Sequence, residues 1–388
     1  MSFDALWDAL TPIGRVGSGG YRRFAWTPID AVLREWFQGE AAARGLDLVT
    51  DRAGNQWAWW GSPTPNRPGV VVGSHLDSVP DGGAFDGPLG VVSAFCAVDA
   101  LRSRGFEPSR PIGIARFGDE EGARFGVACA GSRLLTGALP AHRGLALTDG
   151  DGLPMADAMR SAGLDPAGVG RDDEALRRVG TFVELHVEQG RGLDELDRSV
   201  AVGSSILAHG RWRLDLAGEA NHAGTTRLDD RRDPMLNLAA AVTTARSAAA
   251  ARGCVATVGK VAVVPNGVNA IPSAVTAWLD ARGDAARAVA ADVGQAVGTA
   301  PVEESYTPDT RFDPALVTRL SRLLGDAPVL GTGAGHDAGI LAAAGLPAAM
   351  LFVRNPTGVS HSPAEHAERD DCLTGVDALA AVIADLAG

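Results

Sequence analysis

Lysine is nearly missing from this chain: Lys260 is the only one among 35 basic residues, and all the others are arginine. A P-loop needs a Gly-Lys-Ser/Thr run, and Schiff-base or Ser-Lys catalysis needs a placed lysine. Lys260 instead falls within the apolar, strand-like run 254–264, so a lysine nucleophile is not expected. Positive charge is also in deficit, with 47 acidic against 35 basic side chains and a net charge of -12. Such a surface repels a phosphate backbone, and no nucleic-acid partner is expected. The four cysteines (Cys96, Cys129, Cys254, Cys372) are widely spaced, form no C-x-x-C pair and have small or apolar neighbours. They read as core thiols of a protein in the reducing cytoplasm. No stretch reaches the ~18 uninterrupted apolar residues of a membrane span. Met1-Ser2-Phe3-Asp4 carries no basic segment, so neither membrane insertion nor a signal peptide is expected.

What is present fits a globular enzyme. The chain has 388 residues, 46% hydrophobic and 21% charged, which is enough for two domains with separate cores. In the first part, short apolar runs ending near Val72, Phe117 and Val187 alternate with helical patterns such as 87–104, the pattern of an α/β domain with a mainly parallel sheet flanked by helices. Near residue 210 the character changes. A half-buried strand at 211–216, an Ala-rich helix at 233–252, strands at 254–264 and 274–282 and a helix at 284–297 are the first five elements of a strand-helix-strand-strand-helix-strand block. The expected organisation is a discontinuous catalytic domain, 1–210 and 312–388, with an inserted α+β ferredoxin-like domain at 211–311.

Five of the eight histidines fall in polar clusters that interrupt apolar runs: His75, His186, His222, His336 and His361. The first cluster, Gly73-Ser74-His75-Leu76-Asp77-Ser78, ends a strand-like run. There His75 and Asp77 point to one side, as a metal ligand and its orienting carboxylate would. Asp86 lies between glycines in Gly83-Ala84-Phe85-Asp86-Gly87, where it could bridge two cations or simply cap the following helix. Asp119-Glu120-Glu121 follows another apolar run. One carboxylate of such a pair can bind metal while its neighbour stays free as a general base, although a solvated acidic turn is the plainer reading. The runs Glu184-Leu185-His186-Val187-Glu188-Gln189-Gly190 and Ser360-His361-Ser362-Pro363-Ala364-Glu365 supply further ligands. Histidine and carboxylate donors without thiolates suit zinc, manganese or cobalt, and His75, Asp86, Glu121, His186 and His361 would complete a two-metal site.

These runs, together with Asn221-His222-Ala223-Gly224-Thr225-Thr226, Pro265-Asn266-Gly267-Val268-Asn269, Leu279-Asp280-Ala281-Arg282 and Gly333-Ala334-Gly335-His336-Asp337-Ala338, resemble the M20 metallo-aminoacylases. The likeness is to the branch of N-carbamoyl-L-amino-acid hydrolases, allantoate amidohydrolases and β-ureidopropionases, and it covers nearly the whole chain. The resemblance implies that His75 and His186 hold one metal, Glu121 and His361 a second, and Asp86 bridges them. It implies two divalent ions per subunit, zinc first, with manganese, cobalt or nickel as alternatives. Glu120 would be the general base, taking a proton from a metal-acidified water and passing it to the leaving nitrogen. The 211–311 block would be a lid through which two copies dimerise. His222 and Asn269 would act in the partner subunit's site, His222 on the oxyanion. Arg282 and Gln189 would hold the substrate carboxylate, with His336 also assigned to substrate binding. The implied substrate is a small N-carbamoyl amino acid or allantoate.

Two departures from the pattern add arginines, Arg227 after Thr225-Thr226 and Arg354 before the His361 loop. Either could be a surface arginine lying over apolar neighbours, or a second carboxylate contact favouring N-carbamoyl, N-formyl or N-formimino derivatives of acidic amino acids. An M20 aminoacylase or peptidase is a further alternative, though the Glu184–Gly190 run is unusual for a peptidase. The glycine-rich run 331–336 ends in His336 where a dinucleotide fingerprint needs glycine, which argues against an oxidoreductase. The intact ligand set argues against a non-catalytic scaffold.

Overall fold

A computed structural model of the chain describes residues 2–388. It divides into two compact units, one running to Ser205 and resuming from Arg311 to Gly388, the other spanning Ile206–Thr310.

The first unit is built on a nine-stranded sheet. In chain order its early strands are β1 (Asp47–Thr50), β2 (Gln56–Trp60), β3 (Gly69–His75), β4 (Ile112–Phe117), β5 (Val179–Val187) and β6 (Val200–Ile206). The second unit then contributes β7 (His209–Ala217), β8 (Asn221–His222), β9 (Val255–Val264), β10 (Ala270–Ile271), β11 (Ala274–Arg282) and β12 (Val302–Thr307). The chain returns through β13 (Thr310–Arg311), β14 (Val329–Thr332) and β15 (Ala348–Val353). The large sheet runs β1-β2-β4-β3-β5-β15-β6-β13, with β14 on β6. Its centre is parallel, β4 with β3, β3 with β5 and β5 with β15, while β2 and β6 join antiparallel.

Strands β3, β4 and β15 are buried at every residue. That is why they read as continuous apolar runs rather than alternating ones, since both faces of a parallel sheet are covered. Helices Pro88–Ser103 and Arg369–Ala387 pack on each other, the first against β3 and the second against β15. Helix Asp337–Ala343 packs against β5 and β15. The sequence places the helix at 87–104 and the strands to within a few residues. Strands β1, β2 and β6 go beyond it, because β1 is short and mostly exposed and the three tryptophans of β2 mask any alternation.

In the second unit the four-stranded sheet is antiparallel in the order β12-β7-β11-β9. With helices Pro234–Ala251 after β7 and Ala286–Val297 after β11, this is the βαββαβ ferredoxin-like arrangement. Alternation along β7 and β11 buries Trp212, Leu214, Leu216, Val275, Ala277 and Leu279 against alanines of the first helix and Val289 and Val293 of the second. Lys260 of β9 lies with its ammonium 4.4 Å from the Trp278 ring centroid, a cation–π contact on a sheet surface.

The end of β4, which leads into the acidic cluster, is tied to helix Pro28–Ala43 by a buried ion pair between Arg116 and Asp30. Asp30 also accepts from the Trp26 backbone N–H at 3.0 Å. Removing one partner strands the other charge in the core. Arg116→Met is therefore expected to destabilise the protein by about 3–5 kcal/mol, seen as a lowered denaturant midpoint with an unchanged slope.

Candidate metal centre

The chemistry-bearing side chains of the first unit gather at the carboxyl ends of its parallel strands, where α/β folds assemble their sites. His75 closes β3 and His186 lies one residue before the end of β5. Glu120 and Glu121 follow β4, His361 follows β15, and Asp86 sits in the loop between β3 and helix Pro88–Ser103. The register pairs Gly73 with Glu184, which brings His75 level with His186, and their rings stack at 5.8 Å.

Asp86 is the centre. Its Oδ1 lies 3.4 Å from His75 Nε2 and 3.2 Å from His186 Nε2. Its Oδ2 lies 3.5 Å from His361 Nε2, which in turn is 3.4 Å from Glu121 Oε2. Two groups of side chains that could hold a metal ion thus share one carboxylate: His75, Asp86 and His186, and Asp86, Glu121 and His361. The capping role open to Asp86 is not taken, because Gly87 occupies the N-cap of the following helix and no side chain bonds there.

The chemistry of these donors fits a cation. His75 Nδ1 faces the Asp77 carbonyl at 3.1 Å, and His186 Nδ1 faces the Val187 carbonyl at 2.9 Å. Each Nδ1 therefore carries the proton, and each Nε2 is a lone-pair acceptor. Both Nε2 atoms are buried without a hydrogen-bond partner and face a carboxylate oxygen, an arrangement of acceptors that positive charge resolves. The same demand appears in the titration behaviour. Burial opposes charge on both imidazoles, yet Glu120, Asp77 and Asp86 hold His75 well above its ordinary value, and Asp86 raises His186. Burial would lift Asp86, but His186 and His75 drive it well below the usual carboxylate range.

Glu120 and Glu121 do not form a solvated turn. Glu120 is 5% exposed, its Oε2 is 3.8 Å from His75 Nε2, and burial with nearby carboxylates pushes it well above its ordinary value against the pull of His75. Glu121 is held through its backbone N–H to Asp77 Oδ2 at 3.0 Å and through Oε1, which accepts from Val79 N–H at 3.3 Å. Asp77 thus braces both sides, touching His75 mainly through its main-chain oxygen.

Two groups at this site, Glu365 and Ser360, carry no role in the sequence reading, and two that do, Gln189 and His336, lie against the cluster itself. Glu365 Oε2 accepts from the backbone N–H groups of Phe85 and Asp86 at 2.8 and 3.0 Å, fixing the bridging loop across a long sequence separation. Its presence in the His361 motif was the available signal. Ser360 Oγ and Gln189 Nε2 donate to Asp86 Oδ2 at 3.3 and 2.7 Å. Gln189 therefore sits at the bridging carboxylate. His336 packs edge-on to His186 at 4.5 Å. Burial, then His186, keeps it neutral, and both of its ring nitrogens lack hydrogen-bond partners. Glu188 is a helix cap, accepting from Gly192 and Leu193 N–H.

Within the second unit, β8 pairs with β10 so that His222 stands opposite Ala270, and Ala223 N–H donates to the Asn269 carbonyl at 3.0 Å. His222 and Asn269 are thereby neighbours. His222 Nδ1 accepts from Gly224 and Thr225 N–H at 3.0 and 3.2 Å, which leaves Nε2 as an exposed donor. Arg282, at the end of β11 beside His209, is bonded to Asp280 at 2.9 Å.

Arg354 does not act as the second carboxylate clamp considered from sequence. Its guanidinium forks onto Asp371 at 2.8 and 3.1 Å and reaches Asp197 at 3.0 Å, tying the end of β15 to helix Arg369–Ala387. Arg227 is exposed on the loop after His222.

Gly87 permits the close approach of the bridging loop to His75. It has φ +87°, and a Cβ there would lie 2.5 Å from His75 Cε1. Gly87→Ala is expected to keep the far-UV circular dichroism of the fold while binding less divalent metal after equilibrium dialysis. Metal content equal to wild type would contradict the role assigned to His75.

Residues 71–385 match the peptidase family M20/M25/M40. The chain is 36% identical to an N-carbamoyl-L-amino acid amidohydrolase of Geobacillus stearothermophilus, covering 97% of this chain and 96% of that one. It is 31% identical to the allantoate amidohydrolase of Escherichia coli, over 97% and 96% of the two chains. Among solved structures it resembles a hydantoinase/carbamoylase-family amidase of Burkholderia vietnamiensis with a TM-score of 0.89 and 29% identity, covering 100% of this chain and 97% of that one. A match of this extent, over a histidine–carboxylate cluster suited to a divalent cation, shows that the chain belongs to peptidase family M20/M25/M40 and is a hydrolase.

Proposed function

We propose that the protein hydrolyses the ureido group of an N-carbamoyl-L-amino acid or of allantoate, releasing ammonia, carbon dioxide and the amino acid, or ureidoglycine or ureidoglycolate. The observation that carries this reading is the buried, unligated Glu120 beside two ligand groups that share Asp86. The amidohydrolase names of its relatives support it.

His75 and His186 would hold one cation, Glu121 and His361 the other, with Asp86 shared between the two groups. Zinc suits this donor set best, with manganese, cobalt or nickel as alternatives. When bound, divalent cations would supply Lewis acidity and lower the pKa of a water towards about 7. Glu120 accepts the water's proton and returns it to the departing nitrogen. His222, through its exposed Nε2–H, donates to the developing oxyanion. Arg282, with Gln189, Asn269 and His336, holds the substrate, a planar guanidinium being the natural partner of its carboxylate.

In this reading residues 1–210 and 312–388 are the catalytic domain, and 211–311 form the lid through which two copies associate. The long unpaired edge of β9, which exposes Val255, Val261 and Val264, supports such pairing. The free thiols support a reducing, cytoplasmic setting. With Arg354 committed to Asp371, no observation favours an acidic N-formyl or N-formimino substrate over a carbamoyl one.

Metal-loaded protein is expected to release ammonia from a panel of N-carbamoyl amino acids or from allantoate in preference to formate or formamide from N-formyl and N-formimino amino acids. Glu120→Gln is expected to keep its metal and lose two or more decades of kcat, the scale of general-base removal; near-normal turnover would reject the assignment. If His222 serves the partner's site, mixing inactive His222→Ala with inactive Glu120→Gln restores activity in hybrid dimers. A mixture that dimerises yet stays inactive would exclude that sharing.

A further inference from the structure

Glu120 is gripped by the segment that follows it. Residues 129–131 run back along 118–120: Cys129 N–H donates to the Glu120 carbonyl, Ala130 N–H to Asp119 at 2.9 Å and Gly131 N–H to Gly118 at 2.9 Å. Both Asp119 and Cys129 adopt left-handed backbone, with φ of 53° and 55°, a region that side chains with a Cβ seldom occupy. This unusual turn delivers the Cys129 thiol to 3.2 Å from Glu120 Oε1. Cys129 is 2% exposed. Burial, with the Glu120 and Asp337 carboxylates, pushes its thiol well above the ordinary value, so it remains S–H and can only donate to a carboxylate. The Cys129 carbonyl is braced in turn by Ser132 Oγ at 3.2 Å, a hydroxyl that also contacts Asp337.

We propose that Cys129 is a positioning residue for the general base: its thiol holds Oε1 of Glu120 and leaves Oε2, the oxygen facing His75, as the one that moves the proton. The inference rests on the reading of Glu120 as the base. A carboxylate on rotatable bonds presents either oxygen in several directions, and proton transfer is efficient only when one is aimed. The plainer role, packing alone, is that of Cys96 and Cys372, which are buried on helices.

The test uses the metal-loaded full chain with Cys129→Ala, Cys129→Ser and Glu120→Gln. Cys129→Ala is expected to lower kcat about tenfold, the scale of one hydrogen bond to a charged group, with KM and metal content unchanged. Cys129→Ser restores a donor and stays within about threefold of wild type. An independent readout is the sulfhydryl-stretch band, identified by its loss in Cys129→Ala. It is expected to move to higher frequency in Glu120→Gln, where a neutral amide replaces the carboxylate acceptor. A kcat for Cys129→Ala within about twofold of wild type, a serine variant as slow as the alanine one, or a band unmoved in Glu120→Gln would each overturn the proposal. Near-normal turnover of Glu120→Gln would instead place the failure in the base assignment itself.

Discussion

Two imidazole nitrogens and a carboxylate oxygen are pressed together at Asp86, a contact that only positive charge can satisfy, and much of the first unit is arranged to maintain it. Main-chain carbonyls of Asp77 and Val187 take the Nδ1 protons and so commit both Nε2 lone pairs inward. Glu365 holds the backbone at Asp86, and Asp77 holds the backbone at Glu121. Gly87 removes the one Cβ that would separate loop from ring. Without a cation the cluster calls for protons on its imidazoles; a divalent cation would meet the same demand with donors whose geometry is already fixed.

The surrounding carboxylates are not equivalent, and environment alone separates them. Asp86, between two imidazoles, is held ionised. Glu120 and Glu121, buried among other acids, favour the proton. An ionised Asp86 next to a carboxyl group with raised proton affinity would suit the metal-assisted hydrolysis proposed above, one group to bind and the other to carry a proton. Bound cations, being the largest local charges, would then draw the protons from both glutamates, leaving Glu121 as a ligand and Glu120 as an unligated carboxylate able to accept a proton.

How much of this the sequence showed depends on the range of the interaction. The strand ends were legible because buried parallel strands are written as continuous apolar runs, and a polar residue at the end of such a run has few structural reasons to be there. His75, His186 and Glu121 are legible that way, Asp86 and His361 only through the polar loops that carry them, and all five converge. The second unit was legible because alternation along β7 and β11 survives in the letters. What escaped were contacts that depend on how loops fold back: Glu365 reaching Phe85 and Asp86, Cys129 turned by left-handed backbone onto Glu120, and Arg354 drawn to Asp371. Cys129 had small neighbours and read as a core thiol. Its burial was right, but its partner could be known only from the turn. No periodicity encodes such contacts, since they are set by loop geometry rather than by facing residues.

The near absence of lysine also has a structural counterpart. Arg23 is buried, with Nε on the Ile13 carbonyl and Nη2 on the Leu10 carbonyl, over the Tyr21 ring. Burial lowers it only to about 10, so its charge persists at neutral pH. Arg124 reaches Asp149 through Nε and the carbonyls of Ala25 and Trp26 through another nitrogen. Arg44 forks onto Asp99 while also holding Glu40. Each joins groups that lie in different directions around a rigid plane. An ammonium has three donors on a single atom, and burial readily strips its charge. Lysine at these positions would leave carbonyls or carboxylates unpaired, so the arginine-for-lysine bias has a use in joining buried loops and helices of the first unit.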